Sequence, residues 1–111
     1  MSNAKNIKMI VSTTDEISGY KIKSVLGIVQ GNTVQSKHIG RDLMAGLKGI
    51  IGGEIRGYTE LLNESRDIAV ERMIANAKKL GANAIVGVRF STAAIVPTAA
   101  EIMVYGTAVK I

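Results

Sequence analysis

The chain of 111 residues contains no cysteine and no tryptophan, one histidine (His38), one proline (Pro97) and one phenylalanine. Without cysteine there is no disulfide, no thiolate metal ligand and no thiol nucleophile. With one histidine, a soft-metal site inside a single subunit lacks its usual donors, and only carboxylates and His38 are left to serve. Apolar runs such as Ala93–Val96 fall far short of the ~20 residues that a membrane-spanning helix needs. No signal peptide is read at the start, so a cytoplasmic location is expected. Ser2-Asn3-Ala4 reads as a cloning remnant, and residues 1–8 as a flexible lead into the fold.

What is present is a mild excess of positive charge: Lys and Arg number 14, Asp and Glu 9. Residues 1–56 hold eight basic groups against four acidic ones, and the remainder six against five. The excess is uneven, and a mildly basic N-terminal half suits anionic ligands or nucleic acid, but it reads first as solvated surface. Neither nucleic acid nor a membrane is expected as a partner. The length suits one domain with a single core that needs no staples.

Hydrophobic periodicity gives the order of elements. Met9–Val11 is a short apolar strand, stopped by Ser12-Thr13-Thr14 and the acidic pair Asp15 and Glu16. Tyr20, Ile22, Ser24, Leu26 and Ile28 alternate with Lys21, Lys23, Val25, Gly27 and Val29, the period of a strand. Gly31-Asn32 signals a bulge or tight turn, after which Thr33-Val34 resumes pairing. From Arg41 the period changes. Leu43, Met44, Leu47, Ile50 and Ile51 form the stripe of an amphipathic helix that follows Gly40 and ends at Gly52-Gly53. Gly46 and Gly49 each cost that helix about 1 kcal/mol relative to alanine. With Asp42 and Gly53 they leave one side nearly free of bulk, a surface for close packing.

A longer helix is expected from about Thr59 to Leu80. Its inward stripe is Leu62, Ala69, Met73, Ala77 and Leu80, with Ser65 and Asn76 at the margin. Lys78 and Lys79 suit its C-terminal dipole, and Gly81 supplies the left-handed residue that ends it. Residues 84–92 and 101–109 are β-rich runs joined by a loop near Pro97, which cannot donate to a ladder. Ile85, Gly87 and Arg89 are expected on one face of the first run; Val86, Val88 and Phe90 are expected on the other. Both faces start apolar, as in a strand covered on both sides. The reading is α/β (α+β): two layers in ββααββ order, a four-stranded, mostly antiparallel sheet with two helices on one face. A single sheet offers one face to its own helices, so the apolar second face is expected to be buried against other subunits.

At Ser12-Thr13-Thr14, residues 26–29, residues 41–47, Ile51-Gly52-Gly53, Tyr58, Arg66, Ala69, residues 81–84 and residues 105–109 the chain resembles the YbjQ-like family, which carries a heavy-metal-binding label. The resemblance spans residues 9–111 as a single domain. It implies a dodecin-like subunit assembled into a ring, a homopentamer. At Glu54 the chain departs from those relatives that carry a basic residue after the Gly-Gly pair.

Several groups are candidates for chemistry. Residues 52–57 superficially resemble a phosphate-binding loop, but the turn joins two helices with no preceding strand. Glu54 and Arg56 there are expected to pair between subunits. Glu60, Glu64, Asp67 and Glu71 recur at three and four along one helix face, oxygen donors suited to hard divalent cations, with Arg66 and Arg72 expected to neutralise part of them. As metal candidates the residues are Glu54, Glu60, Glu64 and Asp67. As oligomer-interface or ligand-pocket candidates they are Gly46, Gly49, Gly53, Arg56, Tyr58, Arg66, Arg72, Arg89 and Tyr105. Arginine among apolar neighbours takes a carboxylate or backbone partner, and Arg89 is the one expected to be partly buried. Ser12-Thr13-Thr14 offers hydroxyls but no base, and His38 reads as a surface histidine. No catalytic set converges. The sequence therefore points to a non-enzymatic, homo-oligomeric binding or scaffold protein with no resident cofactor. A divalent metal, or a small anionic ligand between subunits, is the alternative.

Overall fold

A computed structural model describes residues 8–36, 56–96 and 99–111. The helix expected from Arg41 to Ile51 lies outside the described residues, as do His38, Gly40, Gly46, Gly49, Gly52, Gly53, Glu54 and Pro97. The described elements are β1 (Ile10–Val11), β2 (Ser24–Ser36), α1 (Arg56–Lys79), β3 (Ala84–Val96) and β4 (Ala99–Lys110). They form an α+β fold whose four-stranded sheet has the order β1-β3-β4-β2. The sheet is mixed. β1 runs parallel to β3, and β4 is antiparallel to both β3 and β2.

The core lies between α1 and one face of the sheet. Ala69, Met73 and Ala77 of the helix pack on Val29 of β2, Ile85 and Val88 of β3, and Val104 and Ala108 of β4. Spacing by four puts Ser65 on the same inward stripe, and its side chain is buried too. Leu80 departs from the expected stripe. The helix stops at Lys79, and Ala82 N–H bonds the Ala77 carbonyl while Gly81 N–H bonds that of Lys78. This is a Schellman end with Gly81 at φ +84°, so Leu80 falls in the turn and stays exposed.

Gly31 makes no turn. β2 continues through it to Ser36, and its missing side chain serves contact: a Cβ there would collide with the Ala69 carbonyl and the Met73 amide nitrogen. The interruption in β2 is instead a register shift between Val25 and Gly27, where Gly27 has φ +138°. That extra residue inverts the side-chain alternation. Leu26 packs on the helix-side core, whereas Ile28, expected on the same face, is 81% exposed on the other.

The strand expected to start at Tyr20 begins at Ser24. Before it, Tyr20 N–H bonds the Ile17 carbonyl (3.1 Å) in a turn with Gly19 at φ +86°. This loop returns Ile17 and Ile22 onto the outer face at the base of the sheet, where they cover Ala84, Val86 and Val109. β3 is therefore covered on both faces at its start, as its sequence requires. Asn83 closes this base. Its amide nitrogen donates to the Ile111 carbonyl (3.0 Å) and its amide oxygen accepts from the Ile111 N–H (2.7 Å).

Candidate functional site

Beyond the base, no described element covers the face of the sheet opposite α1. Register places three rows across it: Gln30, Tyr105 and Arg89; then Asn32, Met103 and Ser91; then Val34, Glu101 and Ala93. Arg89 and Tyr105, both singled out by the sequence, are thus direct cross-strand partners. A register shift in β3 between Val86 and Arg89 brings this about. Gly87, at φ +62°, takes the extra position, so Ile85 and Val88 share the core side and Arg89 joins Val86 on the outer one. The simple alternation expected for this strand is corrected accordingly.

The Ser12-Thr13-Thr14 segment holds that bulge. Gly87 N–H donates to the Thr14 carbonyl (2.9 Å) and Val88 N–H to that of Ser12 (3.0 Å). The hydroxyls of Ser12 and Thr14 are consumed locally. Thr14 Oγ1 donates to the Glu16 carbonyl (2.5 Å), so the Ser12 hydroxyl donates to Thr14 Oγ1 and its oxygen accepts from Thr14 N–H. They act as a turn. Arg89, exposed, donates from one guanidinium nitrogen to the Thr13 and Val88 carbonyls, both at 2.9 Å. Its partner is backbone, one of the two kinds the sequence allowed. A Cβ at Gly87 would meet only an Asp15 carboxylate oxygen at 3.7 Å, so Gly87→Ala has room but a left-handed backbone. Chemical denaturation is expected to show a loss of about 1–2 kcal/mol; an unchanged midpoint would mean that the bulge is not needed.

On α1, Glu64, Asp67 and Glu71 are exposed. The neighbouring arginines do not neutralise them. Arg66 donates to the Asn63 side chain (3.1 Å), and Arg72 reaches across to the Asn32 carbonyl on β2 (2.7 Å). Asn76 does the same at the Gln30 carbonyl (2.8 Å). These two side chains cap the open edge of the sheet, a role that their helical spacing alone does not announce. Asn32 in turn donates to Glu101 Oε2 (2.8 Å) on the open face. Arg56, Tyr58 and Glu60 belong to α1, but their side chains are outside the description. Among the described residues no three His, Cys, Asp or Glu side chains come together as a metal cluster. The loop before β2 encloses an open concavity of about 990 Å³, lined among the described residues by residues 14–22. No helix among the described residues is long and apolar enough to cross a membrane.

The geometry is that of a small two-layer α+β domain with one sheet face covered by its helix. A family model described as "Putative heavy-metal-binding" matches residues 9–111, and the chain belongs to this YbjQ-like family. It is 61% identical to a UPF0145 protein of Colwellia psychrerythraea and 62% identical to one of Vibrio parahaemolyticus, each over 93% of this chain and 98% of the relative. A UPF0145 protein of Thermotoga maritima is 55% identical over 93% of this chain and 97% of its own. Among solved structures, a protein of the DUF74 family from Pediococcus pentosaceus is similar at a TM-score of 0.62 and 18% identity. It covers 93% of this chain and 97% of its own, a likeness of fold.

Proposed function

We propose that this chain is a homo-oligomeric binding or scaffold protein, assembled as a ring of dodecin-like, two-helix subunits whose open sheet faces are covered by neighbouring copies. One observation carries the reading. Val25, Ile28 and Val34 are 68%, 81% and 53% exposed on the side of the sheet away from α1, with Tyr105 beside them. Exposed apolar side chains gathered on one face mark an interaction surface. The row of Gln30, Tyr105 and Arg89 gives that surface polar groups with which to hold a small anionic ligand where two copies meet. Glu54 and Arg56 pair between copies in this reading. Glu54→Ala then lowers the oligomer mass on dilution, and an undiminished mass would remove that contact.

The family description favours a second reading, a divalent metal at the subunit boundary. Its donors are the oxygens of Glu54, Glu60, Glu64 and Asp67, so a hard or borderline cation fits them better than a soft heavy metal. Native mass spectrometry of the purified chain, with and without added divalent metal, separates the two. An oligomer with stoichiometric added metal supports the second reading. An oligomer that takes up no metal leaves the scaffold ahead, and a bare chain at 11.8 kDa overturns both.

A further inference from the structure

The described lysines are Lys8, Lys21, Lys23, Lys78, Lys79 and Lys110, and all of them are exposed. They come from separated stretches of the chain, so no window of sequence shows them as a cluster. The fold brings them all to one end. Lys110 closes β4, and its carbonyl accepts from the Lys23 N–H (2.7 Å) at the start of β2. Lys78 and Lys79 end α1, and the turn after them meets the same strand end. There Asn83 N–H donates to the Val109 carbonyl (3.1 Å) and Lys110 Nζ to the Gly81 carbonyl (3.2 Å). Lys8 leads into β1, where Ile10 is level with Ala84, the first residue of β3. Lys21 precedes Ile22, which covers Ala84, Val86 and Val109 at this base.

The sheet order puts Lys8 at one edge of the end, Lys23 at the other and Lys110 between them. Lys78 and Lys79 add the helix layer, and Lys21 the loop on the outer face. The described carboxylates lie elsewhere. Glu71 precedes Lys78 by about 10 Å along the helix, with Glu64 and Asp67 further off. Glu101 is about 30 Å from Lys110 along β4. Asp15 stands beside Gly87, up β3 from Ala84, with Glu16 next to it in the chain. Arginines and lysines are used differently. Arg66, Arg72 and Arg89 are bonded to side-chain or backbone acceptors. Of the lysines, only Lys110 has such a bond among the described residues. The helix dipole accounts for Lys78 and Lys79 but not for the others. The end is also partly apolar: Leu80, 47% exposed, follows Lys79, and Val25, 68% exposed, lies close to Lys23.

We propose that this end docks on an anionic lipid bilayer as a peripheral contact, its lysines over the headgroups and Leu80 among them. Lysine is a compact, mobile charge that attracts phosphate without fixing its geometry. A cluster of about four to eight basic residues is the feature that holds a protein at an anionic lipid surface. Charges spread over both layers and both edges of one end meet a plane together. A nucleic-acid strand would instead want them along a groove, with aromatic rings for the bases. Tyr105, paired with Arg89, and Phe90 next to it stand well up the sheet from this end. An exposed leucine among lysines gains from the boundary of headgroups and acyl chains, and gains nothing from a sugar-phosphate backbone. The proposal goes beyond the oligomeric reading and does not need it.

Co-sedimentation of the full chain with vesicles tests it. One set is phosphatidylcholine alone; in the other about a quarter of the lipid is phosphatidylglycerol. The chain is expected to pellet with the anionic set only, and to be released as salt is raised. A lysine close to such a surface is worth about fivefold in partitioning, so Lys21→Gln/Lys23→Gln is expected to bind about 25-fold more weakly. Arg66→Gln removes a charge away from this end and is expected to change binding by less than about twofold. Leu80→Ser is expected to weaken binding about fivefold, through the half of the side chain now in water. A chain that stays in the supernatant with anionic vesicles overturns the proposal. So does an Arg66→Gln loss equal to that of the lysine pair, which would make net charge the only cause. A short DNA duplex that strips the chain from the vesicles, with Leu80→Ser binding as well as the unmodified chain, overturns it in favour of nucleic acid.

Discussion

Gly31→Ala is expected to lower the stability of the fold by about 3 kcal/mol or more, at the upper end of what overpacking a core costs. The added methyl points at helix backbone, where no flexible side chain can step aside: it would lie 2.5 Å from the Met73 nitrogen and closer still to the Ala69 carbonyl oxygen. Relief requires α1 to lift off β2. That would also strain the buried bond from Thr33 Oγ1 to the Ser65 carbonyl (2.9 Å) and the caps from Arg72 and Asn76. Denaturant unfolding at a fixed chain concentration measures the loss, because oligomerisation makes apparent stability depend on concentration. A variant with an unchanged midpoint would contradict the close approach of helix and strand.

Met73→Ala is expected to cost about 3 kcal/mol, within the range for truncating a fully buried side chain. Met73 is 0% exposed and is among the largest fully buried side chains of the described core. It sits between Ala69 and Ala77, which are too small to fill the space it would leave. Loss of its contacts should loosen α1 and, with it, the guard at Gln30 and Asn32. Ile28→Ser is the matched control. At 81% exposure it should leave the stability of the single chain within about 0.5 kcal/mol, as surface substitutions do, while weakening association. A Met73→Ala variant as stable as this control would place the core elsewhere.

Elements with a strong period were legible in the sequence. The stripe of Ala69, Met73 and Ala77, the end at Gly81 and the two-sided burial of β3 at Ala84–Val86 all follow from spacing and composition, and the structure has them. Faces past a bulge were not legible. One extra residue between Val25 and Gly27 and another between Val86 and Arg89 invert the side chains that follow, which moves Ile28 out of the core and sets Arg89 beside Tyr105. Gly31 shows a second limit. A glycine needed for a turn and one needed for a helix to pass overhead look alike until the helix is in place. The caps from Arg72 and Asn76 join positions 40 and 46 residues apart, beyond any local pattern. Of the sequence-marked residues, Arg89 and Tyr105 come together by register, whereas Arg66 and Arg72 serve local and edge bonds and leave Glu64, Asp67 and Glu71 unneutralised.

The central claim is that the sheet face left uncovered among the described residues is built for other copies of the same chain. Native mass spectrometry of the unmodified protein over a dilution series tests it most directly. The account predicts a single closed oligomer, a whole multiple of 11.8 kDa, that persists on dilution, with five copies as the number the family resemblance implies. A chain that runs at 11.8 kDa throughout, with Val25, Ile28 and Val34 left in water, would contradict it.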